Sequence, residues 1–427
     1  MKPSQFRWKL AALMFLISFI AYMDRVNLSV ATPLLMKEFA FTKMDMGMIQ
    51  TAFFIGYSIM QIPGGIMAEY FGHRRIVAIA VIWWSLFTSL TIVGHSLFSF
   101  IIIRALFGMG EGPVFPAFSN FVYKWFNKSE KGTGMSYTLV GAFIGPVFGP
   151  AATVALTLAW GWQASFLVFG LIGLLLAGAW YYFAPNTPRS SRFVNEAELQ
   201  HIEDGVDTQE AEKKELAPWK DFLTSSQFWA IGIQYFITDY IMYVFLAWLP
   251  LYLMEAQNFS LAKMGMAASL PWALLCIFTF GSGYLSDKLI ARGLAKSKAR
   301  TLFGSVGLLF CCIALYLGAV ATDPYMNVLW LTLSLGSLGF TFSASWAACI
   351  DIGGKFSGSV SGWMNFWGNV GGIAAPTATA WIATNYGWQA AILATAASAV
   401  IGILAWLAVK PDIPLVRKEQ PSWEKAV

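Results

Sequence analysis

Residues 64–75 read GGIMAEYFGHRR, and residues 281–293 read GSGYLSDKLIARG. When Gly65 is aligned with Gly283, the carboxylate four residues later also matches, as Glu in the first stretch and Asp in the second. Both stretches follow a long apolar run. A glycine lets two helices approach closely, and a carboxylate beside basic residues suits a short turn between helices. The recurrence therefore indicates a duplicated unit.

A second recurrence supports the duplication. The sequence WGWQASF, residues 160–166, returns as YGWQAAI, residues 386–392. Its tryptophans, Trp162 and Trp388, are 226 residues apart, close to the 218 residues that separate the first pair of glycines. Two recurrences at nearly equal separations predict two homologous halves.

The composition is typical of a membrane protein. Of the 427 residues, 57% are hydrophobic and 12% are charged, whereas a soluble domain carries about 25% charged residues. A helix of roughly 20 apolar residues crosses a bilayer. The chain has twelve such runs, at residues 10–34, 47–69, 76–94, 96–123, 134–158, 162–184, 228–253, 264–286, 301–320, 326–350, 358–382 and 387–409.

The placement of the cysteines argues against a metal site, and the absence of known catalytic motifs argues against an enzyme. All four cysteines lie in apolar runs without a CxxC or Cys/His cluster, which predicts small buried side chains: Cys276, Cys311, Cys312 and Cys349. No Walker, HExxH or GxSxG motif accompanies a plausible site. We therefore expect no catalytic residue, no metal and no cofactor.

The positive charges predict the orientation in the membrane. With a cytoplasmic N-terminus, 23 of the 28 Lys and Arg residues lie on the cytoplasmic side. The outside then holds Lys37, Lys43 and Lys263, and two arginines remain inside spans. Since Lys and Arg concentrate in cytoplasmic loops, we expect both termini in the cytoplasm. The first apolar run is too long for a signal peptide and reads as a retained span.

A long polar connection divides the spans six and six. Residues 185–227 contain NEAELQHIEDGVDTQEAEKKE, which predicts a solvated linker with a short amphipathic helix. The sequence thus predicts an all-α polytopic membrane protein whose 12 transmembrane helices form two pseudo-symmetric six-helix bundles. The predicted parts are an N-terminal bundle at 1–184, a linker at 185–227, a C-terminal bundle at 228–410 and a cytoplasmic tail at 411–427.

This organisation resembles the major facilitator superfamily. The family's turn between spans two and three is usually Gly-x-x-x-Asp-Arg-x-Gly-x-Arg-Arg. Here Tyr70 replaces the first basic residue, and the turn consists of Gly65, Glu69, Tyr70, Gly72, Arg74 and Arg75. The resemblance implies the major facilitator fold and transport by alternating access, with the substrate near the midplane between the halves.

Few charges lie inside the predicted spans. They are Asp24, Arg25, Arg104, Glu111 and Asp239. An ionised residue at the bilayer centre costs about 2.5–3.5 kcal/mol or more. Arg104 and Glu111 are seven residues apart and therefore share one face of a helix. These residues either form salt bridges that only hold helices together or surround a cavity, and a charge-balanced group of four in the first half favours a cavity.

The chemistry of these side chains suggests their roles. Arg25 offers a planar fork that can hold a carboxylate and does not lose its proton, so it suits an anion. Asp24 and Glu111 can take up and release protons. Arg104 can keep either carboxylate ionised until a substrate or a proton competes. An organic anion and protons would then enter together.

The same segments are similar to the anion:cation symporter branch of the superfamily, which includes bacterial sugar-acid permeases and the animal vesicular glutamate and sialic-acid transporters. The matching segments are YMDRVNLSVA from Tyr22, QIPGG from Gln61 and RALFGMGEGPVFPA from Arg104. By this resemblance Arg25 binds the substrate carboxylate, and Asp24 and Glu111 are protonated during symport. The resemblance also implies substrate contacts from Tyr22, Tyr57, Gln61, Ser343, Ser345 and Asn365, although a hydroxyl or amide in a span often bonds only a neighbouring helix.

Two positions depart from the branch. Ala142 stands where sugar-acid members can carry a polar residue, which leaves the number of substrate hydroxyls open. Asp239 in the seventh span has no counterpart among the branch features. Four interpretations are open: Asp239 binds a substrate amine or hydroxyl, binds a second cation, pairs with Arg25, or faces a water-exposed vestibule. Tyr243 and Trp248 on the same span suit either a sugar face or packing between helices.

The sequence therefore predicts proton symport of an organic anion, most simply a sugar acid such as a hexonate or hexuronate. The alternative is an anion exchanger, because GAFIGPVFGP in span five resembles the Gly-Pro motif of antiporters. Phosphate exchangers usually present an Arg from each half, and the second half here has none inside its spans. We expect a monomer in a bacterial inner membrane, with protons, the anion and the lipid bilayer as partners and no nucleic acid.

Overall fold

The computed structural model describes residues 3–127, 129–203 and 217–415. Lys2, Lys128, linker residues 204–216 and tail residues 416–427 lie outside the described residues. The α-helices are α1 (Phe6–Phe39), α2 (Lys43–Phe71), α3 (His73–Leu90), α4 (Leu97–Glu111), α5 (Val114–Trp125), α6 (Lys131–Trp160), α7 (Trp162–Phe183), α8 (Glu196–Glu203), α9 (Trp219–Thr224), α10 (Ser226–Glu255), α11 (Leu261–Ala291), α12 (Lys296–Val320), α13 (Pro324–Gly353) and α14 (Ser357–Ala408).

The helices supply the twelve predicted spans. In the described part of the chain, eleven segments are long and apolar enough to cross a membrane. The last of them, α14, has 52 residues and contains Gly387 at φ 84°, so it comprises two spans joined by a kink. The predicted linker helix is present as α8. The fold class is therefore the predicted one.

The fourth span is broken directly after a buried carboxylate. The turn at Gly112 and Pro113 separates α4, which ends at Glu111, from α5, which begins at Val114. Proline has no amide hydrogen to give to the preceding turn, and its ring disfavours a continuous helix. The sequence reading did not include this break. Because Gly112 and Pro113 keep helical φ and ψ, the chain continues past Glu111 as one span.

The described residues group into two compact units. The first comprises the described residues of Met1–Lys214, with Tyr243–Cys276 and Gly372–Ala391. In it α1 packs along α6, α2 along α4, and α3 along α7. The second comprises the described residues of Glu215–Met242, Ile277–Gly371 and Ile392–Val427, and in it α12 packs along α13. The predicted domain boundaries follow the sequence repeat rather than this grouping, and they stay predictions.

Glycines set the closest helix approach in the first unit. A Cβ atom on Gly108 of α4 would lie 2.1 Å from the carbonyl oxygen of Phe53 on α2, and one on Gly112 would lie 2.6 Å from that of Tyr57. A larger residue at either position would push the backbones apart. Because the helices touch here, the aromatic rings of Phe53 and Tyr57 are brought beside Glu111.

The repeated tryptophan turn has the same structure in both halves. Gly161 and Gly387, with φ of 86° and 84°, immediately precede Trp162 and Trp388. Trp162 donates its indole N–H to Glu38 at 2.7 Å, near the end of α1. Trp388 likewise donates to a glutamate at the end of α10, Glu255, at 2.9 Å. The two halves therefore share not only sequence but also a hydrogen bond, as a duplicated unit requires.

The linker helix is attached to the first turn of α1 through a buried carboxylate. Glu198 of α8 accepts hydrogen bonds from the backbone N–H groups of Phe6 and Arg7, at 2.9 and 3.1 Å, from the Arg7 guanidinium at 2.9 Å, and from the Ser4 hydroxyl. Burial alone would raise the pKa of Glu198, but these donors hold it below its usual value. A carboxylate at this position also satisfies free amides of the helix start.

Arg7 joins the linker helix to a third element. Its guanidinium donates two hydrogen bonds of 2.9 Å to Glu130, the residue before α6. Burial opposes ionisation of Glu130, yet hydrogen bonds from Arg7 and His201 lower its pKa. We call this end of the unit, defined by Arg7, Glu130 and Glu198, the Arg7 end. The opposite end, defined by Glu38, Lys43 and Glu255, is called the Lys43 end.

Candidate functional site

A buried ion pair lies at the centre of the first unit. Arg25 of α1 donates from Nε and Nη2 to the same oxygen of Glu111, Oε2, and both distances are 2.7 Å. The two side chains are only 4% and 2% exposed. The sequence reading assigned Arg104 as the partner of either carboxylate. The structure instead pairs Glu111 with Arg25, the residue predicted to hold the substrate.

Aromatic rings enclose the Arg25 guanidinium. Its central carbon lies 4.3 Å from the ring centre of Tyr22 and 4.9 Å from those of Phe53 and Tyr57. Tyr243 of α10, which belongs to the same unit, is close enough to interact with it electrostatically. Ring faces attract a guanidinium, and the tyrosines add hydroxyl groups. The surroundings can hold a cation firmly while they offer hydrogen bonds to a polar ligand.

Two further buried charges lie near this ion pair. Asp24 and Arg104 are 1% and 3% exposed, and Arg104 acts electrostatically on both Asp24 and Glu111. The Arg104 guanidinium lies over Phe107 and Phe166, 5.0 and 5.7 Å from the ring centres. Among the described residues, neither oxygen of Asp24 makes a hydrogen bond. The four charges that the sequence predicted to surround one cavity therefore lie close to one another.

Three other predicted residues occupy the first unit. Tyr243 packs against Phe54 with ring centres 4.4 Å apart, next to the Arg25 group. Gln61 lies one turn beyond Tyr57 on α2 and is half-buried. Trp248 is 1% exposed, donates its indole N–H to the Pro376 carbonyl at 3.0 Å and belongs to the hydrophobic core. Of the two readings for Trp248, this conformation shows packing.

The remaining predicted residues belong to the second unit. Ser345 is fully buried and donates to Gln234 at 3.0 Å and to its own helix at 2.7 Å, so it links helices here. Ser343 faces Gly283 of α11, and Asn365 is half-buried on α14. Their contacts with a substrate stay predictions.

Asp239 is also buried within the second unit. It is 5% exposed, and it packs against Gly368 so closely that a Cβ there would lie 2.2 Å from its oxygen. A vestibule residue would be exposed, so this conformation does not match that reading. Its role toward a substrate stays a prediction.

The sequence reading missed four residues of these groups. Phe53 stacks on Arg25, Gln234 binds Ser345, and Trp84 and Thr88 of α3 lie beside Asp24. For Trp84 and Thr88, the sequence feature that could have indicated them is a pair of polar side chains four residues apart on the predicted span at 76–94, which has no charged residues. Neither residue is ionisable, so the charges inside the spans do not point to them. Within the described ranges, no group of three or more His, Cys, Asp or Glu side chains can hold a metal ion.

Comparison with known proteins gives consistent matches along the chain. The sequence profile of the Major Facilitator Superfamily matches residues 14–376. The chloroplast ascorbate transporter of Arabidopsis thaliana is 31% identical over 402 residues, which are 94% of this chain and 74% of that protein. The probable galactarate/D-glucarate transporter of Bacillus subtilis strain 168 is 30% identical over 98% of this chain and 95% of its own length. The D-galactonate transporter of Escherichia coli O6:H1 is 30% identical over 97% and 98%, respectively.

Solved structures agree on the fold. A bacterial homologue of the human lysosomal transporter Spinster, crystallised in an inward-facing, unoccupied conformation, superimposes with a TM-score of 0.80. The alignment covers 95% of this chain and 98% of that one, at 16% identity. At that identity the likeness concerns the fold alone. Together these matches confirm the predicted all-α, twelve-span architecture and the resemblance drawn from the sequence.

Proposed function

Because this chain belongs to the major facilitator superfamily, and is therefore a membrane transporter rather than an enzyme, we propose that it imports a sugar acid by proton symport. The substrate class is a hexonate, hexarate or hexuronate. Transport proceeds by alternating access, in which a central site opens to one side of the membrane at a time. The absence of a nucleotide-binding motif from the sequence fits an ion gradient as the source of energy.

The ion pair between Arg25 and Glu111 is the observation that carries this proposal. Arg25 has one buried carboxylate partner at 2.7 Å, and a substrate carboxylate needs the same guanidinium. Two carboxylates cannot both ionise cheaply at one buried site. A proton on Glu111 removes its charge, weakens its hold on Arg25 and frees the fork for the substrate. Binding of the anion and uptake of a proton are thereby coupled.

Asp24 and Arg104 form the second part of the coupling machinery. Arg104 stabilises the ionised form of Asp24 electrostatically. When the substrate anion arrives beside Arg25, the added negative charge favours protonation of the neighbouring carboxylates. Asp24 is the second candidate to take a proton. More than one proton per singly charged anion would make transport sensitive to membrane potential.

The surrounding hydroxyl groups suit a sugar chain. Tyr22, Tyr57 and Tyr243 present phenol groups around Arg25, and such groups can donate to or accept from substrate hydroxyls. The names of the two bacterial relatives, a D-galactonate transporter and a probable galactarate/D-glucarate transporter, support a polyhydroxylated acid. Gln61, Ser343, Ser345, Asn365 and Asp239 are proposed as further contacts in the occupied state.

The setting in the cell follows from the charge distribution. With 23 of 28 Lys and Arg residues on one side, both termini are assigned to the cytoplasm. The bacterial relatives and the multi-pass topology favour the inner membrane of a bacterium. The transporter is proposed to act as a monomer, since each chain contains both halves needed to form a central site.

Transport assays in proteoliposomes test the function. Purified protein is reconstituted, and uptake of radiolabelled D-galactonate is measured with an imposed pH gradient and without any internal anion. We expect accumulation that collapses when an uncoupler abolishes the gradient. Glucarate and glucuronate are tested as competitors, and phosphate and glutamate as anions of other classes. Uptake that strictly requires an internal anion would replace symport by exchange.

A further inference from the structure

The third span brings two polar side chains to Asp24. Trp84 and Thr88 lie one turn apart on α3 and are 0% and 2% exposed. Both are close enough to act on the Asp24 carboxylate. Trp84 also lines a small cavity together with Ser18, Arg25 and Glu111. Trp84 is therefore near both carboxylates of the site.

Trp84 and Thr88 carry hydrogen-bond donors that bond to no other group in the described part of the chain in this conformation. An indole N–H can only donate, and a hydroxyl can donate or accept. Among the described residues, Trp84 Nε1, Thr88 Oγ1 and both oxygens of Asp24 make no hydrogen bond of ordinary length and angle. A buried polar group without a partner is costly. Two donors and one acceptor are thus gathered in the protein interior, close to one another and not yet bonded.

The next threonine along the chain, directly after the end of α3, behaves differently. Thr91 is also fully buried, but its hydroxyl donates to the backbone carbonyl of Phe87 at 3.1 Å. That is the usual way for a buried threonine to satisfy itself within a helix. Thr88 does not use this route, which sets it apart as a residue available to Asp24.

The charges facing Asp24 are few. Glu111 and Arg104 act on it from α4, and Arg25 follows it on α1. The other helices that pack around α1 are α2, α6 and α7. Between Asp45 and Glu69 of α2, and between Lys131 and Phe183, the sequence has no Asp, Glu, Lys, Arg or His. The protonation of Asp24 therefore depends on one carboxylate, two guanidinium groups and the neutral donors on α3.

We propose that Thr88 and Trp84 are positioning residues that hold the Asp24 carboxylate through two hydrogen bonds when it is ionised. This inference rests on the proposed function, in which Asp24 takes up a proton. The proton comes from water on the side to which the site is open, adds to one carboxylate oxygen and leaves to water on the other side. Since the indole cannot accept a hydrogen bond, protonation loosens its hold on Asp24. The third span thereby sets the pH range in which Asp24 works.

Substitutions at Thr88 test the assignment. Thr88→Val keeps the shape and removes the donor, so the protonated carboxyl is favoured. The pH at which proton-driven D-galactonate uptake falls to half should rise by about one pH unit, the size expected for one hydrogen bond to a charged group. Thr88→Ser restores the wild-type profile because it restores the hydroxyl. Thr91→Val is the matched control and leaves the profile unchanged.

A substrate-free readout separates this inference from the proposed function. Infrared difference spectra of purified protein are titrated with pH, and the carbonyl band lost in Asp24→Asn is assigned to protonated Asp24. We expect this band to persist to higher pH in Thr88→Val, and also in Trp84→Phe, which serves if the first variant does not fold. An unchanged titration in both variants, or the lack of any band assignable to Asp24, overturns the inference. Wild-type uptake that ignores the pH gradient overturns symport instead, and the infrared titration still decides on Thr88.

Discussion

At the scale of single residues, the proposed symport depends on which group neutralises Arg25. In the present conformation that group is Glu111, at 2.7 Å and almost fully buried. Glu111→Gln mimics a permanently protonated side chain. We expect it to keep D-galactonate counterflow, because Arg25 is free, and to lose accumulation under a pH gradient, because no proton is exchanged. A variant that still concentrates substrate to wild-type levels would show that Glu111 is not the coupling acid.

Arg25 itself is predicted to require its planar fork and not only its charge. Arg25→Lys keeps a positive charge but replaces two parallel donors with a single ammonium group. We expect D-galactonate to bind about tenfold more weakly or worse, since a charge-assisted hydrogen bond is lost. Thermal shift of the purified variant with increasing ligand measures this loss. Arg192→Lys, at an exposed arginine, should bind like the wild type, and an equal loss there would point to a general effect.

At the scale of elements, close approach of α2 and α4 positions the site. A Cβ on Gly108 would lie 2.1 Å from a backbone oxygen of Phe53, whereas Gly178 of α7 has nothing within 4 Å. Gly108→Ala should destabilise the protein by about 1–3 kcal/mol through overpacking and lower the thermal unfolding temperature in detergent. Gly178→Ala gains the same helix propensity without the clash. If both variants melt like the wild type, the helices do not require contact at Gly108.

The attachment of α8 to α1 predicts a pH-dependent contribution to stability. The pKa of Glu198 is below its usual value in the folded protein, so the folded state binds fewer protons than the unfolded one. Its contribution is complete above the unfolded pKa of about 4.3 and is lost as the pH falls through the lower folded value. Glu198→Gln should therefore unfold at a lower temperature than wild type at pH 7, with a difference that shrinks below about pH 4. Glu203→Gln, on the exposed side of the same helix, should change little at either pH, and a constant difference for Glu198→Gln at all pH values would contradict the prediction.

The sequence was sufficient to locate the helices but not to predict which side chains of different helices contact one another. Apolar run length located the twelve spans, and the repeated Trp162 and Trp388 turns identified the duplication. The spacing of Arg104 and Glu111 predicted one shared face of α4, and both side chains act on Asp24. It did not reveal that Glu111 contacts Arg25, because that depends on how α1 and α4 are rotated against each other. The orientation of α4 also depends on its contact with α2, where Gly108 approaches the Phe53 backbone, and no periodicity within one helix records such a contact.

At the scale of the whole molecule, segments from both sequence halves meet at the Lys43 end. Lys43, which begins α2, lies 2.9 Å from Glu255 at the end of α10, and Trp388 donates to the same oxygen. The hydroxyl groups of Thr51 and Thr377 are 2.8 Å apart nearby. All these residues belong to the first compact unit. If the chain works by the proposed alternating access, such contacts break in each cycle, so they should be weak individually and easily weakened further.

Lys43→Met and Glu255→Gln should therefore favour opening at the Lys43 end. An exposed ion pair contributes at most about 1 kcal/mol, which corresponds to a shift in population of about two- to fivefold. Opening is measured as the rate of maleimide labelling of Gln50→Cys, a buried position on α2, in a background without the native cysteines. The double variant should label no faster than the faster single variant, because both changes remove the same contact. Lys263→Met removes an exposed lysine at the start of α11 and should leave the rate unchanged. Equal labelling in all variants would mean that the pair does not hold this end closed.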